Sequence, residues 1–336
     1  MRIAINGFGR IGKSFLRTLL VDKKALSKIQ VAVINVGKGD PQAAALALKY
    51  DTLMGTYPGH VEYKDGKLFV DELAIPIISE LQPEKAPWKS YKIDWVVEAS
   101  GFFTKREGAE KHLAAGAQGV LITAPAHGED VTIIPGVNSE LYQAGKHRIV
   151  SLGSCTTNAL FTMLKVVDDA FQIEQAMMTT VHAYTNTQAL LDVDATVKDL
   201  RKGRAAALNI VPTTTGAMEV VARVMPHLTG KITGVSLRVP VAKVSLIDLT
   251  VLLKKSATAE EINEAYEKAA NGPMKGFVQY TNEPLVSSDY SGNNNSSIVD
   301  GLMTQSQGTM VKVFGWYDNE WGYSVRLKDF LMMVGS

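Results

Sequence analysis

The opening residues constrain the fold more tightly than any later stretch. "RIAIN" (2–6) has the short apolar character of a strand, and "GFGRIG" follows it directly and opens a helix. Gly7, Gly9 and Gly12 fall in a G-x-G-x-x-G pattern. In that pattern the first glycine permits a tight turn, the second lets a pyrophosphate approach the backbone, and the third lets helix and strand pack closely. The helix N-terminus adds amide donors and a partial positive charge for phosphates. A second apolar run, "VAVIN" (31–35), completes strand–motif–helix–strand within about 30 residues, the context that separates a dinucleotide site from an ordinary turn.

One piece of the usual pattern is absent. An acid at the end of the second strand normally receives the adenosine ribose 2′-hydroxyl. Here the strand runs into "VINVGKGD", with Val36 in that place and Lys38 two residues on. An apolar residue beside a lysine removes the repulsion that a 2′-phosphate would meet, so both NAD and NADP stand as cofactors.

At 336 residues the chain exceeds the size at which a single core usually stops growing, and two domains are expected. The net charge of +1 offers no general attraction for nucleic acid or an anionic membrane. No apolar run approaches the ~20 residues of a membrane helix, and the N-terminus lacks signal-peptide character. A cytoplasmic protein is expected. No Cys/His cluster has metal-ligand spacing, so no metal is expected.

The first half alternates short Val/Ile runs with helical patterns: strands at 2–6, 31–35, 93–100, 119–125 and 147–152, helices beginning near Ile11, Pro41 and Lys105. That rhythm reads as α/β, a parallel sheet covered on both faces. The second half is richer in long strands, at 174–184, 232–240, 243–253 and 309–317, with a helix after Cys155 and another near Thr258, where Thr258 and Glu261 form a capping-box signature. It reads as α+β with a mixed or antiparallel sheet. "SGNNNSS" (291–297) reads as a surface loop. The expected division is a dinucleotide-binding domain over 1–154, a second domain over 155–318, and a closing helix over 319–336 that packs back on the first.

The chain holds one cysteine, Cys155, in "SLGSCTTNAL". Leu160, Phe161, Leu164 and Val167 follow at helical spacing, which sets the sulfur near a helix N-terminus, where the dipole favours a thiolate. The polar neighbours Ser154, Thr156 and Thr157 argue against a mere packing role. His182 ends the strand "TTVH" and is a candidate base. In "GVSLRVPV", Val235, Leu237, Val239 and Val241 take one face, leaving Ser236 and Arg238 on the other; with "PTTTG" (212–216) and "YTN" (184–186), Arg238 is a candidate anion clamp.

These stretches, with "LKYDTLMG", "EASGFFT", "APAHGEDVTIIPGVN", "VHAYTNTQ" and "GWYDNEWGYSVR", make the chain resemble a phosphorylating glyceraldehyde-3-phosphate dehydrogenase from end to end. The resemblance implies a Rossmann domain followed by a catalytic domain. It implies Cys155 as nucleophile and His182 as the base that keeps it ionised. Thr185 and Arg238 would hold the phosphate of glyceraldehyde 3-phosphate, and Ser154, Thr156, Thr215 and Gly216 the incoming inorganic phosphate. Arg10 and Ile11 would meet the cofactor pyrophosphate. Ser100, Gly101 and Thr123 would line its groove, with Asn6, Phe8, Asn35, Val36 and Lys38 completing the set. Asn319 would fix the nicotinamide carboxamide beside Tyr323. The resemblance further implies a homotetramer in which a loop over about 183–208 reaches a neighbouring subunit's cofactor.

Some positions depart from the pattern. Ala159 replaces a frequent second cysteine, and Thr187 a common Asp. "DVDATVKDLR" (192–201) differs in the loop that approaches the adenosine ribose. Three rivals stand beside the main reading. Erythrose-4-phosphate dehydrogenase usually loses the threonine-rich loop that "PTTTGA" keeps. A non-catalytic redox sensor leaves His182, Arg238 and Asn319 without shared purpose. A thiol hydrolase has no use for the glycine motif. With Val36 and the altered loop near the adenosine ribose, NADP is expected to support turnover appreciably. Initial rates with both cofactors check this, and a kcat/KM preference of about a hundredfold or more for NAD would refute it.

Overall fold

The computed structural model describes residues 1–194 and 200–335. The chain divides into two units. Residues Met1–Ile133, Ser139–Gly153 and the stretch from Ser324 onward make the first, and Ile134–Asn138 with Ser154–Tyr323 the second. Residues 134–138, read from sequence with the first domain, thus go to the second unit, where a Cβ on Gly136 would lie 2.6 Å from the Phe277 ring.

In the first unit the strands are β1 (Arg2–Asn6), β2 (Gln30–Asn35), β3 (Val61–Lys64), β4 (Lys67–Val70), β5 (Leu73–Ile78), β6 (Trp95–Glu98), β7 (Gly119–Ile122), β8 (Val131–Thr132) and β9 (Ile149–Ser151). They form one sheet in the order β3-β4-β5-β2-β1-β6-β7-β9-β8. From β5 through β8 the pairing is parallel, and β3-β4-β5 is an antiparallel extension. Ile3, Ile5, Val33, Ile34, Val96, Val97, Val120 and Leu121 are fully buried, as continuous apolar runs in a parallel sheet should be. The strand order reverses at β1, with β2 on one side and β6 on the other, and such a reversal opens a ligand crevice at the carboxyl ends of the strands.

The glycine turn leaves β1 at that point. Gly7 sits at φ 94°. A Cβ there would lie 2.4 Å from the Ser100 nitrogen, and one on Gly12 would lie 2.3 Å from the Gly7 carbonyl. Both glycines are therefore required by backbone-to-backbone approach. At the far end of the chain, Phe330 of the helix Trp321–Val334 packs edge-on against Trp95 and Tyr142, and Lys328 pairs with Asp22 at 2.6 Å.

The second unit carries β10 (Ile173–Ala183), β11 (Val211–Thr213), β12 (Ile232–Val239), β13 (Ser245–Leu253), β14 (Val278–Thr281), β15 (Ser297–Gln307) and β16 (Met310–Tyr317). Their order is β11-β12-β10-β13-β16-β15-β14, a mixed sheet in which β10-β12 and β14-β15 are parallel. Helices Cys155–Phe171 and Ala259–Asn271 pack together, with Tyr266 Oη donating to the Met163 carbonyl at 3.0 Å. Leu160, Phe161, Leu164 and Val167 all enter that core. The capping box forms, the Thr258 hydroxyl accepting from Glu261 N–H and the Glu261 carboxylate from Thr258 N–H.

On β12 the two faces alternate as the pattern requires, yet the apolar face is not the inner one: Val235 is 51% exposed and Ser236 is buried. Among the described residues no helix is long and apolar enough to cross a membrane. Gly7→Ala should destabilise the protein by about 2–4 kcal/mol, since it combines an unfavourable φ with a backbone clash. Urea unfolding measures it, and a loss below ~0.5 kcal/mol would contradict the packing described.

Candidate active site

The glycine turn is built to take an anion. Gly9 caps the helix Arg10–Val21 with no side chain of its own, and among the described residues a Cβ on Gly9 would meet nothing within 4 Å. A sterically open helix start fits a pyrophosphate. Ile11 and Gly12 follow in the first turn. The Arg10 side chain is engaged by the Asp51 carboxylate, which also accepts from Leu53 and Met54 N–H. Phe8 is buried, and its carbonyl receives Lys13 Nζ at 2.7 Å. Val36 is half-buried and Lys38 exposed at the end of β2. Gly101 lies at φ 77° after β6, and the Thr123 hydroxyl donates to the Glu98 carbonyl at 3.1 Å.

Asn6 and Asn35 form one buried relay at the ends of β1 and β2. Both are buried, and each spends its amide inside the protein: Asn35 Nδ2 on Asn6 Oδ1 at 2.6 Å, Asn6 Nδ2 on Glu98 at 2.6 Å.

In the second unit Cys155 is the first residue of its helix. Ser154 caps that helix, its hydroxyl accepting from Thr157 N–H at 3.1 Å. Cys155 Sγ lies 3.6 Å from His182 Nε2. On the far side of the ring, His182 Nδ1 meets the Ala183 carbonyl at 2.6 Å and Arg238 Nη1 at 2.6 Å. One nitrogen cannot donate to the first and accept from the second. Arg238 has the Ala183 carbonyl as its own alternative acceptor, at 3.3 Å. With Nδ1–H on that carbonyl, Nε2 turns its lone pair to the sulfur, as a base must. The β10–β12 register explains the grouping, since Thr180 pairs with Ser236 and His182 with Arg238 on one face.

Burial and the adjacent Arg238 charge hold the His182 imidazole down to about 3. Burial pushes the Cys155 thiol up, while the Arg238 charge and the amide and hydroxyl of Thr156 act in the opposite direction. Among the described residues Arg238 Nε and Ser236 Oγ are buried without a hydrogen-bond partner, two polar groups that an anion could satisfy.

The remaining expected residues lie around this centre. The Thr156 hydroxyl meets Tyr317 Oη at 2.9 Å, and Tyr317 continues to Thr180 at 2.7 Å. Thr185 bonds Thr187 through its hydroxyl and Gln188 through its amide. Thr215 caps the short turn Gly216–Val220, which packs against the Cys155 helix. Asn319 is buried, with Oδ1 accepting from Ser245 at 3.4 Å, and Tyr323 is buried. Of the departing loop segment 192–201, residues 195–199 lie outside the described residues. Sequence reasoning missed Tyr317 and Thr180, whose only signal was their place on the inward face of period-2 strands.

A dinucleotide turn in one unit and a thiol, imidazole and guanidinium in the other define a cofactor-dependent dehydrogenase that works through a cysteine. Comparison with known proteins narrows the class. Residues 1–106 match the family described as glyceraldehyde 3-phosphate dehydrogenase, NAD binding domain, and 154–319 its C-terminal domain. Glyceraldehyde-3-phosphate dehydrogenase 2 of Streptomyces avermitilis is 47% identical over 337 residues, covering 100% of this chain and 99% of that one. Glyceraldehyde-3-phosphate dehydrogenase 2 of Bacillus subtilis is 46% identical, covering 100% and 97%. The chain belongs to the glyceraldehyde-3-phosphate dehydrogenase family.

Because Cys155 is the one thiol in the chain, alkylation reads it without interference. His182→Asn removes the group facing the sulfur and should slow iodoacetamide alkylation at pH 7 by about tenfold or more. An unchanged rate would mean that the imidazole has no hold on the thiol.

Proposed function

We propose that this protein oxidises glyceraldehyde 3-phosphate in the presence of inorganic phosphate and releases 1,3-bisphosphoglycerate, with NAD or NADP as electron acceptor. The observation that carries the reading is the single thiol 3.6 Å from His182 Nε2, with Arg238 on the other side of the same ring. A nucleophile, a base and an anion-binding cation occur together there.

On this reading Cys155 adds to the aldehyde carbon, its proton passing by way of His182 Nε2 to the carbonyl oxygen to give a hemithioacetal. His182 Nε2 then takes that hydroxyl proton as the hydride leaves. Arg238 and Thr185 hold the substrate phosphate, and Arg238 thereby exchanges the imidazole for a dianion. NAD or NADP, when bound, supplies the hydride acceptor that turns the hemithioacetal into a thioester. Inorganic phosphate, assigned to Ser154, Thr156, Thr215 and Gly216, attacks the thioester and displaces the Cys155 sulfur, so the oxidation energy is conserved in an acyl phosphate. Asn319 and Tyr323 are assigned to the nicotinamide carboxamide.

The assembly is proposed to be a homotetramer. Met177 (68% exposed) and Val235 present apolar surface on the second sheet, and Leu190, Leu191 and Leu208 do so in the loop expected to reach a neighbour. The location is proposed to be the cytoplasm, without a membrane or nucleic-acid partner.

The test is initial-rate measurement with glyceraldehyde 3-phosphate and each cofactor, with and without inorganic phosphate, alongside erythrose 4-phosphate. Phosphate-dependent reduction of NAD or NADP with glyceraldehyde 3-phosphate is expected. Turnover indifferent to phosphate, or faster with the four-carbon sugar, would overturn the reading.

A pH dependence follows from Arg238. His182 serves as base only while unprotonated, so activity is lost as pH falls through its pKa. In the free enzyme burial, and after it the Arg238 charge, keep that pKa low; a substrate dianion on Arg238 offsets the second cause and raises it. The acid limb of kcat should therefore lie at higher pH than that of kcat/KM. Coincident limbs would show that substrate does not relieve the guanidinium.

A further inference from the structure

Beneath the glycine turn lies a buried carboxylate that the proposed chemistry does not use. Glu98 ends β6, is 1% exposed and has no cation against it in the pairs that hold it. Its oxygens are the meeting point of three hydrogen-bond relays. Trp88 Nε1 donates to His112 Nδ1 at 2.9 Å, and His112 Nε2 stands 3.0 Å from Glu98 Oε2. Gly37 and Glu80 N–H donate to Asn35 Oδ1, Asn35 Nδ2 to Asn6 Oδ1, and Asn6 Nδ2 to Glu98 Oε2. Phe102 N–H donates to Ser100 Oγ, and both the hydroxyl and the amide of Ser100 donate to Glu98 Oε1.

The direction of every relay is fixed at its outer end. An indole N–H and a backbone N–H can only donate. The Trp88 bond thus leaves His112 Nδ1 bare, so the proton sits on Nε2 and the imidazole is neutral. The Gly37 and Glu80 amides fix the orientation of Asn35, and through it that of Asn6. Three inward-pointing chains must end on a group that accepts four hydrogens and donates none, which among side chains is an ionised carboxylate. Glutamine has the same shape but brings two hydrogens, and one set of donors would face another.

We infer that Glu98 is a positioning residue for cofactor binding: its carboxylate holds Ser100, Asn6 and, through Asn35, Gly37 in the arrangement that the glycine turn and the ribose end of β2 require. The link to the turn is direct, because Gly7 packs against the Ser100 backbone so closely that a Cβ would lie 2.4 Å from its nitrogen. A displaced Ser100 amide displaces the turn. The inference rests on reading the glycine turn as the NAD(P) site.

The experiment compares wild type, Glu98→Gln, His112→Gln and His112→Leu by calorimetric titration with NAD and NADP, steady-state kinetics and Cys155 alkylation. Glu98→Gln should raise Kd and KM for the cofactor roughly tenfold or more, with kcat at saturating cofactor within about threefold and Cys155 alkylation unchanged. His112 is buried on the helix Arg106–Ala114 and is not one of the residues assigned to the cofactor. His112→Gln can still accept from Trp88 and donate to Glu98 and should stay near wild type, whereas His112→Leu should raise the cofactor KM. If Glu98→Gln fails to fold, the His112 pair decides alone. Equal KM values for its two variants, or a Glu98→Gln protein with wild-type Kd, overturn the inference. A wild-type protein that binds neither cofactor overturns the underlying reading and takes the inference with it.

Discussion

Two backbones touch where β1 ends, and the dinucleotide unit is arranged around that contact. Gly7 can rest on the Ala99–Ser100 peptide only because it has no side chain, and Gly12 can rest on Gly7 for the same reason. The first approach brings the ends of β1 and β6 together, and the second starts the helix over them. The result is a helix N-terminus capped by a glycine with no side chain, poised over the point where the strand order reverses. Any side chain at these positions would push the helix outward and close off the amides. Steric absence, rather than an attractive contact, makes the anion site.

The second unit brings a thiol, an imidazole and a guanidinium together. Burial, and after it the Arg238 charge, hold His182 below its ordinary range, while burial raises the Cys155 thiol against the opposing effect of Arg238 and Thr156. The grouping follows from geometry on one sheet face, where parallel pairing of β10 with β12 puts His182 next to Arg238.

Much of this was legible in the sequence, and the reasons differ by element. Strands β1, β2 and β10 fell close to their expected bounds because apolar runs between turn residues leave little choice, and the Thr258–Glu261 box marked its helix start to the residue. The hairpin strands β3 and β4 escaped notice although Asp65 and Gly66, both at positive φ, are the Asp-Gly turn that joins them. Their short, half-polar strands give weak alternation. The network around Glu98 was invisible for a deeper reason. Trp88, His112 and Asn35 lie far apart in the chain, and only a three-dimensional arrangement shows that their donors converge. Polar residues carry no periodicity from which such convergence could be read.

The face of β12 shows how a correct pattern can still mislead. Alternation placed Val235 and Leu237 opposite Ser236 and Arg238, and that division holds. The usual rule then turns apolar residues inward, but the core side of this sheet takes Ser236 while Val235 faces out. The inversion has a physical basis. Arg238 and Ser236 must share a face with His182 to form one chemical centre, and a strand cannot rotate one face inward without exposing the other. The outward apolar face is the consequence. In this protein the placement of the reactive residues and the exposure of that face therefore have a common origin in the register of one strand.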